Sequence, residues 1–208
     1  MVAKIKDYAV FIKLRLSLLV VFSAAMGYLY ATNGPVDWVK FSLLLLSGFL
    51  ITGASNGLNQ LFEKETDKLM DRTSDRPLPG ERMTPNEGLY LSAFLGMIGI
   101  TTLTIFLNPL SGMLGAAALI SYAFIYTPLK KVTPFSVFVG AFPGAIPPLL
   151  GYVAVTNEID LDALLLYSTQ FIWQFPHFWA VAWVLDDDYK RGGFKMLPSG
   201  ERDTASAF

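Results

Sequence analysis

Apolar positions along the chain gather into six long blocks, approximately residues 14–30, 41–58, 89–107, 110–127, 135–155 and 161–185. Each is close to the roughly 20 residues, within a range of about 17 to 25, that a helix needs to cross a bilayer. The first block is rich in large residues and lacks a small-residue cleavage site, so it reads as a retained helix and not a signal peptide. The pattern therefore predicts an all-α fold, a polytopic membrane helix bundle with six transmembrane helices, forming one domain over residues 1–208.

The polar positions between the blocks support this count. Six crossings divide the connections into two sets, and the set richer in lysine and arginine belongs on the cytoplasmic side. One set holds Lys4, Lys6, Lys13 and Arg15, then Lys64, Lys68, Arg72, Arg76 and Arg82, then Lys130 and Lys131, and last Lys190, Arg191, Lys195 and Arg202. The other holds Lys40 alone. Adding or deleting a helix would scramble this separation, which places the N-terminus inside. The opposite connections carry turn formers such as Asn33-Gly34-Pro35 and Asn108-Pro109.

Composition narrows the function. Of 208 residues, 53% are apolar and 16% charged, against about a quarter charged in soluble domains, and the mean hydropathy is +0.45. A net charge of -1 argues against a nucleic-acid binder that works by phosphate neutralisation. The absence of cysteine excludes disulfide scaffolds, thiol nucleophiles, iron–sulfur clusters and cysteine-ligated zinc. A single histidine excludes a multi-histidine metal site.

Two polar groupings carry candidate chemistry. Where the second block reaches the basic face, Asn59, Glu63, Asp67 and Asp71 recur every four residues, which stacks their oxygens along one helical face. Such carboxylates repel one another unless a cation intervenes, and hard oxygen ligands suit Mg²⁺, which binds through one or two carboxylates plus substrate phosphates. Arg72 and Arg76 follow, with guanidinium forks able to hold phosphate oxygens; Lys68 is a further cation there. The bland alternative is a solvated helix end with surface pairs of Glu63 and Asp67 with Lys64 and Lys68. Against it stands Asn59, an amide within the apolar end of a membrane helix.

The second grouping ends the sixth block: Trp173 and His177 among aromatics, then Asp186-Asp187-Asp188-Tyr189-Lys190-Arg191, with Lys195 nearby. Its aspartates suit a second cation and its lysines phosphate. The resemblance between the two loops suggests a weak internal repeat and opposite rims of one cavity. His177 is either a packing residue or a haem contact. Phe175, Phe178, Trp173, Trp179 and Trp183 form either an interfacial belt or ring faces for a carbocation. The fifth block, with Gly140, Pro143, Gly144, Pro147, Pro148 and Gly151, is either a bent packing helix or a wall shaped around a large ligand.

These residues resemble a known family. Asn59-x-x-x-Glu63-x-x-x-Asp67-x-x-Met70-x-Arg72-Thr73-x-x-Arg76-Pro77-Leu78, together with Trp173-Gln174-Phe175-Pro176-His177-Phe178-Trp179-Ala180 and Asp188-Tyr189 before Met196-Leu197-Pro198, is similar to the intramembrane UbiA-type prenyltransferases. Within them it resembles the protohaem IX farnesyltransferase branch, over essentially the whole chain from Lys13-x-Arg15 onward. The wider superfamily has aspartate at the position of Glu63, and its second motif has spaced aspartates from which this chain departs.

The resemblance implies a bundle of about nine helices, of which this chain supplies six and lacks the C-terminal third. It implies transfer of a farnesyl group from farnesyl diphosphate to a vinyl group of haem b, with haem b as substrate and Mg²⁺ as cofactor. Asn59, Glu63, Asp67 and Asp188 are then catalytic. Metal ligands come from Asn59, Glu63, Asp67, Asp71, Asp187 and Asp188. Substrate contacts come from Arg72, Arg76, Lys68, Lys190, Lys195, His177, Trp173 and Tyr189. The setting implied is the bacterial cytoplasmic (inner) membrane, with the N-terminus and active-site loops cytoplasmic and haem A synthase or terminal oxidase assembly proteins as partners. Rival readings are a quinone-precursor or chlorophyllide acceptor, a transporter or ion-conducting bundle, and a non-catalytic haem-binding scaffold.

Overall fold

The computed structural model describes residues 2–197. A short N-terminal helix, α1 (Val2–Phe11), breaks into α2 (Leu14–Ala31), which is followed by α3 (Trp38–Asp67), α4 (Pro85–Thr102) and α5 (Pro109–Ile120). Helix α4 continues as a π-helical turn (Leu103–Leu107), and α5 runs through another (Ser121–Tyr126) into the single turn α6 (Thr127–Leu129). Then come α7 (Ser136–Thr156), α8 (Leu161–Val184) and α9 (Asp186–Arg191). Among the described residues there is no strand.

The caps explain where the long helices start. Asp37 accepts from the N–H groups of Val39 and Lys40, Thr84 from Glu87 and Asn108 from Ser111, each side-chain oxygen satisfying donors that a helix leaves open. Pro85 and Pro109 occupy the first turn, where no N–H is missed.

Five helical stretches, beginning at Leu14, Trp38, Pro85, Pro109 and Ser136, are long and apolar enough to cross a membrane. The sixth predicted block does form a helix, α8, of 24 residues, but Gln170, Gln174, Pro176 and His177 dilute its hydropathy, so the described residues hold five clear spans instead of six. The surface is apolar, with Leu19, Phe22, Phe94, Met97, Ile105 and Met113 all exposed. The interior holds Ser17, Asn56, Asn59, Gln60, Glu63, Asp67 and Gln174. Polar groups inside and large apolar groups outside is the arrangement a lipid solvent demands.

Helix α7 is the bundle's central post, 72% buried over its apolar stretch against 22% for α4. Its glycines make this possible. A Cβ on Gly151 would lie 1.9 Å from the Ala24 oxygen, and one on Gly27 would lie 2.1 Å from the Pro148 oxygen. Helices α2 and α7 thus touch backbone to backbone, as small residues allow in membranes. Pro148 cannot donate to the carbonyl of Gly144, and Gln174 of α8 donates to that carbonyl instead, at 3.0 Å. The proline that loosens α7 therefore also ties α8 to it.

Helix α3 has 30 residues, which at about 1.5 Å each exceeds a hydrocarbon layer of roughly 30 Å. It runs nine residues beyond the predicted block, carrying Asn59, Glu63 and Asp67 in regular helix to the basic face of the bundle.

Candidate active site

The last two turns of α3 point three side chains inward. Asn59, Glu63 and Asp67 are at most 4% exposed, and each meets cations or donors from other parts of the chain. Asn59 accepts from Lys13 Nζ at 3.3 Å and donates to Thr127 Oγ1 at 3.2 Å. Glu63 Oε1 lies 2.5 Å from Lys130 Nζ. Asp67 Oδ2 accepts from Arg76 Nη1 at 2.6 Å. Only part of each carboxylate's capacity is used. Asp67 Oδ1 is buried with no donor, and Glu63 Oε1 has its ion-pair contact without hydrogen-bond alignment.

Local structure brings the cations there. Lys130 follows α6, and the π-helical turn before it widens the helix so that Thr127 Oγ1 donates back to the Tyr122 carbonyl at 2.9 Å and faces Asn59. The Lys130 ammonium sits 5.1 Å from the ring centres of both Tyr126 and Phe194, within range of attraction to the ring faces. Arg76 is placed by the tight loop after α3, where Thr73 donates to the Asp67 carbonyl at 2.9 Å. In that loop Leu78 and Met83 pack with Phe11 in a small buried cluster. Lys13 stands in the break between α1 and α2 with φ 49 and ψ 59, a left-handed conformation that side chains rarely adopt. Burial, then repulsion from Arg76 and Lys130, lowers its amine to about 7, with Glu63 and Asp67 pulling the other way.

Lys13 and Lys130 were not among the predicted site residues. The available signals were a lysine at a break before a membrane helix and a lysine just after Thr127-Pro128. Beside Arg76 a cleft of about 510 Å³ opens to the surface, lined also by Lys6, Asp7, Val10, Arg72, Asp75 and Arg82.

The second acidic loop is bonded differently. Asp188 accepts from the backbone N–H groups of Asp71 at 3.2 Å and Arg72 at 3.4 Å and from Arg191. The Arg191 hydrogen bond, aided by those backbone donors, holds its carboxyl below the ordinary range. Lys195 N donates to the Lys130 carbonyl at 2.8 Å, and Met70, Val137, Ala182, Phe194, Met196 and Leu197 share one buried cluster. The two loops therefore meet on one face.

They do not converge into one metal cage. Among the described residues no three acidic or histidine side chains are grouped to hold a metal, so Asp187 and Asp188 do not join Glu63 and Asp67. The expected stack of four also breaks: α3 ends at Asp67, and Asp71 lies beyond it, exposed and paired with Arg191 at 2.7 Å.

The other predicted residues separate in the same way. Lys68 pairs with Glu65 at 3.0 Å on the surface, and Lys190 pairs with Asp186 at 2.9 Å. The Lys195 side chain is exposed. Tyr189 is half-buried against Phe194; burial raises its phenol, opposed by Arg72 and Arg76 and reinforced by Glu63 and Asp188, which puts it within electrostatic reach of the site. Trp173 and His177 stack at 4.8 Å on the exposed face of α8. Phe178 on the next face reaches Tyr126 at 5.7 Å. Arg202 and Pro198 lie outside the described residues.

Residues 20–208 match the UbiA prenyltransferase family. The chain belongs to that family. It is 46% identical over 199 residues to a protoheme IX farnesyltransferase of Cytophaga hutchinsonii, covering 96% of this chain and 70% of the relative. It is 47% identical over 203 residues to the corresponding Flavobacterium psychrophilum protein, covering 97% and 67%. The fold is shared with a digeranylgeranylglyceryl phosphate synthase, with a TM-score of 0.80 at 21% identity over 98% of this chain and 71% of that one. It is also shared with an Archaeoglobus fulgidus UbiA homolog bound to GPP and Mg²⁺, with a TM-score of 0.76 at 18% identity over 91% and 67%.

This prenyltransferase is an all-helical integral membrane protein, and its basic face carries a pair of buried carboxylates ringed by Lys13, Lys130 and Arg76. Those carboxylates fit a Mg²⁺ ion, because Asp67 presents an unused buried oxygen and an ion of this kind needs only one or two protein carboxylates when phosphates and waters complete its shell.

Proposed function

We propose that the chain transfers the farnesyl group of farnesyl diphosphate to a vinyl group of haem b, with Asn59, Glu63 and Asp67 holding Mg²⁺ and Lys13, Lys130 and Arg76 holding the diphosphate. The observation that carries this reading is the buried Glu63/Asp67 pair, each member held by one cation from a different part of the chain and left with unused acceptor capacity. The names of the relatives support the choice of donor and acceptor.

When bound, Mg²⁺ neutralises charge developing on the departing diphosphate. Three cations against two carboxylates leave the protein's own site positive, which suits a multiply charged anion and favours cleavage of the bond between farnesyl C1 and oxygen. Arg76 bonds Asp67 and borders the surface cleft, so it can pass phosphate oxygens from solvent to the metal rim. Tyr126 and Phe178, in ring contact next to Lys130, supply apolar walls that keep water from the allylic cation. C1 bonds to the terminal vinyl carbon, water supplies a hydroxyl to the other vinyl carbon, and the released proton leaves with diphosphate.

Asp188 enters this account as the brace that holds residues 71 and 72 of the Arg-bearing loop. The basic face is cytoplasmic in the bacterial inner membrane, and the farnesylated haem passes to haem A synthase or oxidase assembly proteins. The test is mass analysis of haem after incubation of the enzyme in detergent with haem b, farnesyl diphosphate and Mg²⁺. A gain equal to one farnesyl group plus one hydroxyl is expected; unaltered haem alongside farnesylation of another acceptor would overturn the assignment.

A further inference from the structure

Next to its catalytic face, α3 carries two more buried amides, Asn56 and Gln60, at most 2% exposed and one helical turn apart. Neither points into the metal rim. Gln60 Nε2 donates to the carbonyl of Phe11 at 2.6 Å and of Val10 at 3.4 Å. Asn56 Nδ2 donates to the Ile12 carbonyl and to Ser17 Oγ, both at 3.3 Å. Ser17 Oγ in turn donates to the Ile12 carbonyl at 2.7 Å.

All these bonds converge on the elbow between α1 and α2. The break leaves the Val10 carbonyl with a turn bond from Lys13 N at 3.1 Å and frees the carbonyls of Phe11 and Ile12 from helical partners, and buried carbonyls need donors. At the apex is Lys13 with φ 49, a left-handed backbone that persists in a non-glycine residue only when its surroundings hold it. A lysine beginning a membrane helix would ordinarily extend toward the headgroups. Here the elbow turns its stem inward, and Nζ reaches Asn59 at 3.3 Å.

We propose that Asn56 and Gln60 are positioning residues: their amides clamp the α1–α2 elbow so that the Lys13 ammonium is aimed at the diphosphate. The proposal rests on the reading of the site given above, and adds that α3 serves it twice, with one face holding the metal rim and the adjacent face setting the cation. Gln60 suits a clean test because its Oε1 is buried without a donor, so Gln60→Leu deletes one unused acceptor along with the clamp and keeps the volume similar.

The experiment is a double-mutant cycle on the whole chain in detergent, with the affinity and stoichiometry of inorganic pyrophosphate plus Mg²⁺ measured by calorimetry for wild type, Lys13→Met, Gln60→Leu and the double variant. Lys13→Met is expected to weaken binding about tenfold, as for loss of a charged hydrogen-bonding partner, and Gln60→Leu by about three- to tenfold. The double variant is expected to bind no worse than Lys13→Met, because the clamp acts only through that lysine. Ser17→Ala, a milder cut in the same network, should lose about twofold and nothing further on the Lys13→Met background.

Misfolding would lower the fraction of binding sites and leave the affinity of the remainder unchanged, so the two effects separate in the measurement. If the losses from Gln60→Leu and Lys13→Met multiply, or if Gln60→Leu and Ser17→Ala both bind like wild type, the clamp is overturned while the site stands. Wild-type affinity in Lys13→Met would overturn both the clamp and the place of Lys13 in the site.

Discussion

Two acidic, basic segments lie side by side on one face of this bundle, and they use their charges in opposite ways. At the end of α3, Glu63 and Asp67 are buried among Lys13, Lys130 and Arg76 and keep oxygen capacity in reserve. At α9, Asp188 commits both carboxylate oxygens, to two backbone N–H groups and Arg191, and Asp186 pairs with Lys190. A carboxylate with unused, dehydrated acceptor capacity is ready for a cation or a reacting group, whereas one whose two oxygens are engaged by backbone donors and a guanidinium holds a loop in place. The comparison teaches that satisfaction of acceptors, and not the number of acids, separates the two loops.

The largest expected effect tests the first loop. Asp67→Asn removes the charge and leaves the shape, and should lower the rate of farnesyl transfer by at least about 100-fold, the scale of losing one preorganised electrostatic contact. Thermal stability should stay close to wild type, because the Arg76 bond can still be accepted by the amide oxygen. Initial rates followed by haem mass, beside a melting curve, check both halves.

A smaller effect is expected in the second loop. Asp188→Asn should reduce the rate about fivefold and lower the melting temperature, with the Mg²⁺ concentration for half-maximal rate nearly unchanged, since only the loop carrying Arg72 is loosened. If this variant instead needed far more Mg²⁺, Asp188 would be a metal ligand and the contrast between the loops would collapse.

The smallest effect sharpens the first loop's electrostatics. Free lysine titrates near 10.4, but Lys13 is brought down to about 7, so its positive charge is present below that pH and is lost as pH rises through it. An arginine stays charged. The pyrophosphate affinity of Lys13→Arg relative to wild type should therefore rise several-fold between about pH 6 and 8.5, as measured by titration at matched ionic strength. A flat ratio would remove Lys13's charge from the account.

Much of the architecture was legible in one dimension. The α2, α3, α4, α5 and α7 spans and the clustering of basic connections on one face follow from apolar runs and charge placement. The sixth block was legible as a helix, and its interior Gln170, Gln174 and His177 explain why it is not a clear span. The pairing of Pro148 with Gln174 was not legible, because a proline announces a freed carbonyl without saying which donor will take it. In the candidate site, the four-residue spacing picked out Asn59, Glu63 and Asp67, which are buried on one helical face, and it ran on to Asp71, past the end of α3, because nothing in it marks where the helix stops.

By itself, then, the sequence determined that the chain is a helical membrane protein with acids gathered at one surface, since bilayer length and hydrophobicity act on each segment almost independently. Only the tertiary structure decided which acids remain chemically available. That depends on cations arriving from distant positions, Lys13 across 46 residues to Asn59 and Lys130 to Glu63, and on backbone donors that engage both oxygens of Asp188. Such desolvated, short-range pairings arise only when the helices pack, and no local pattern encodes them.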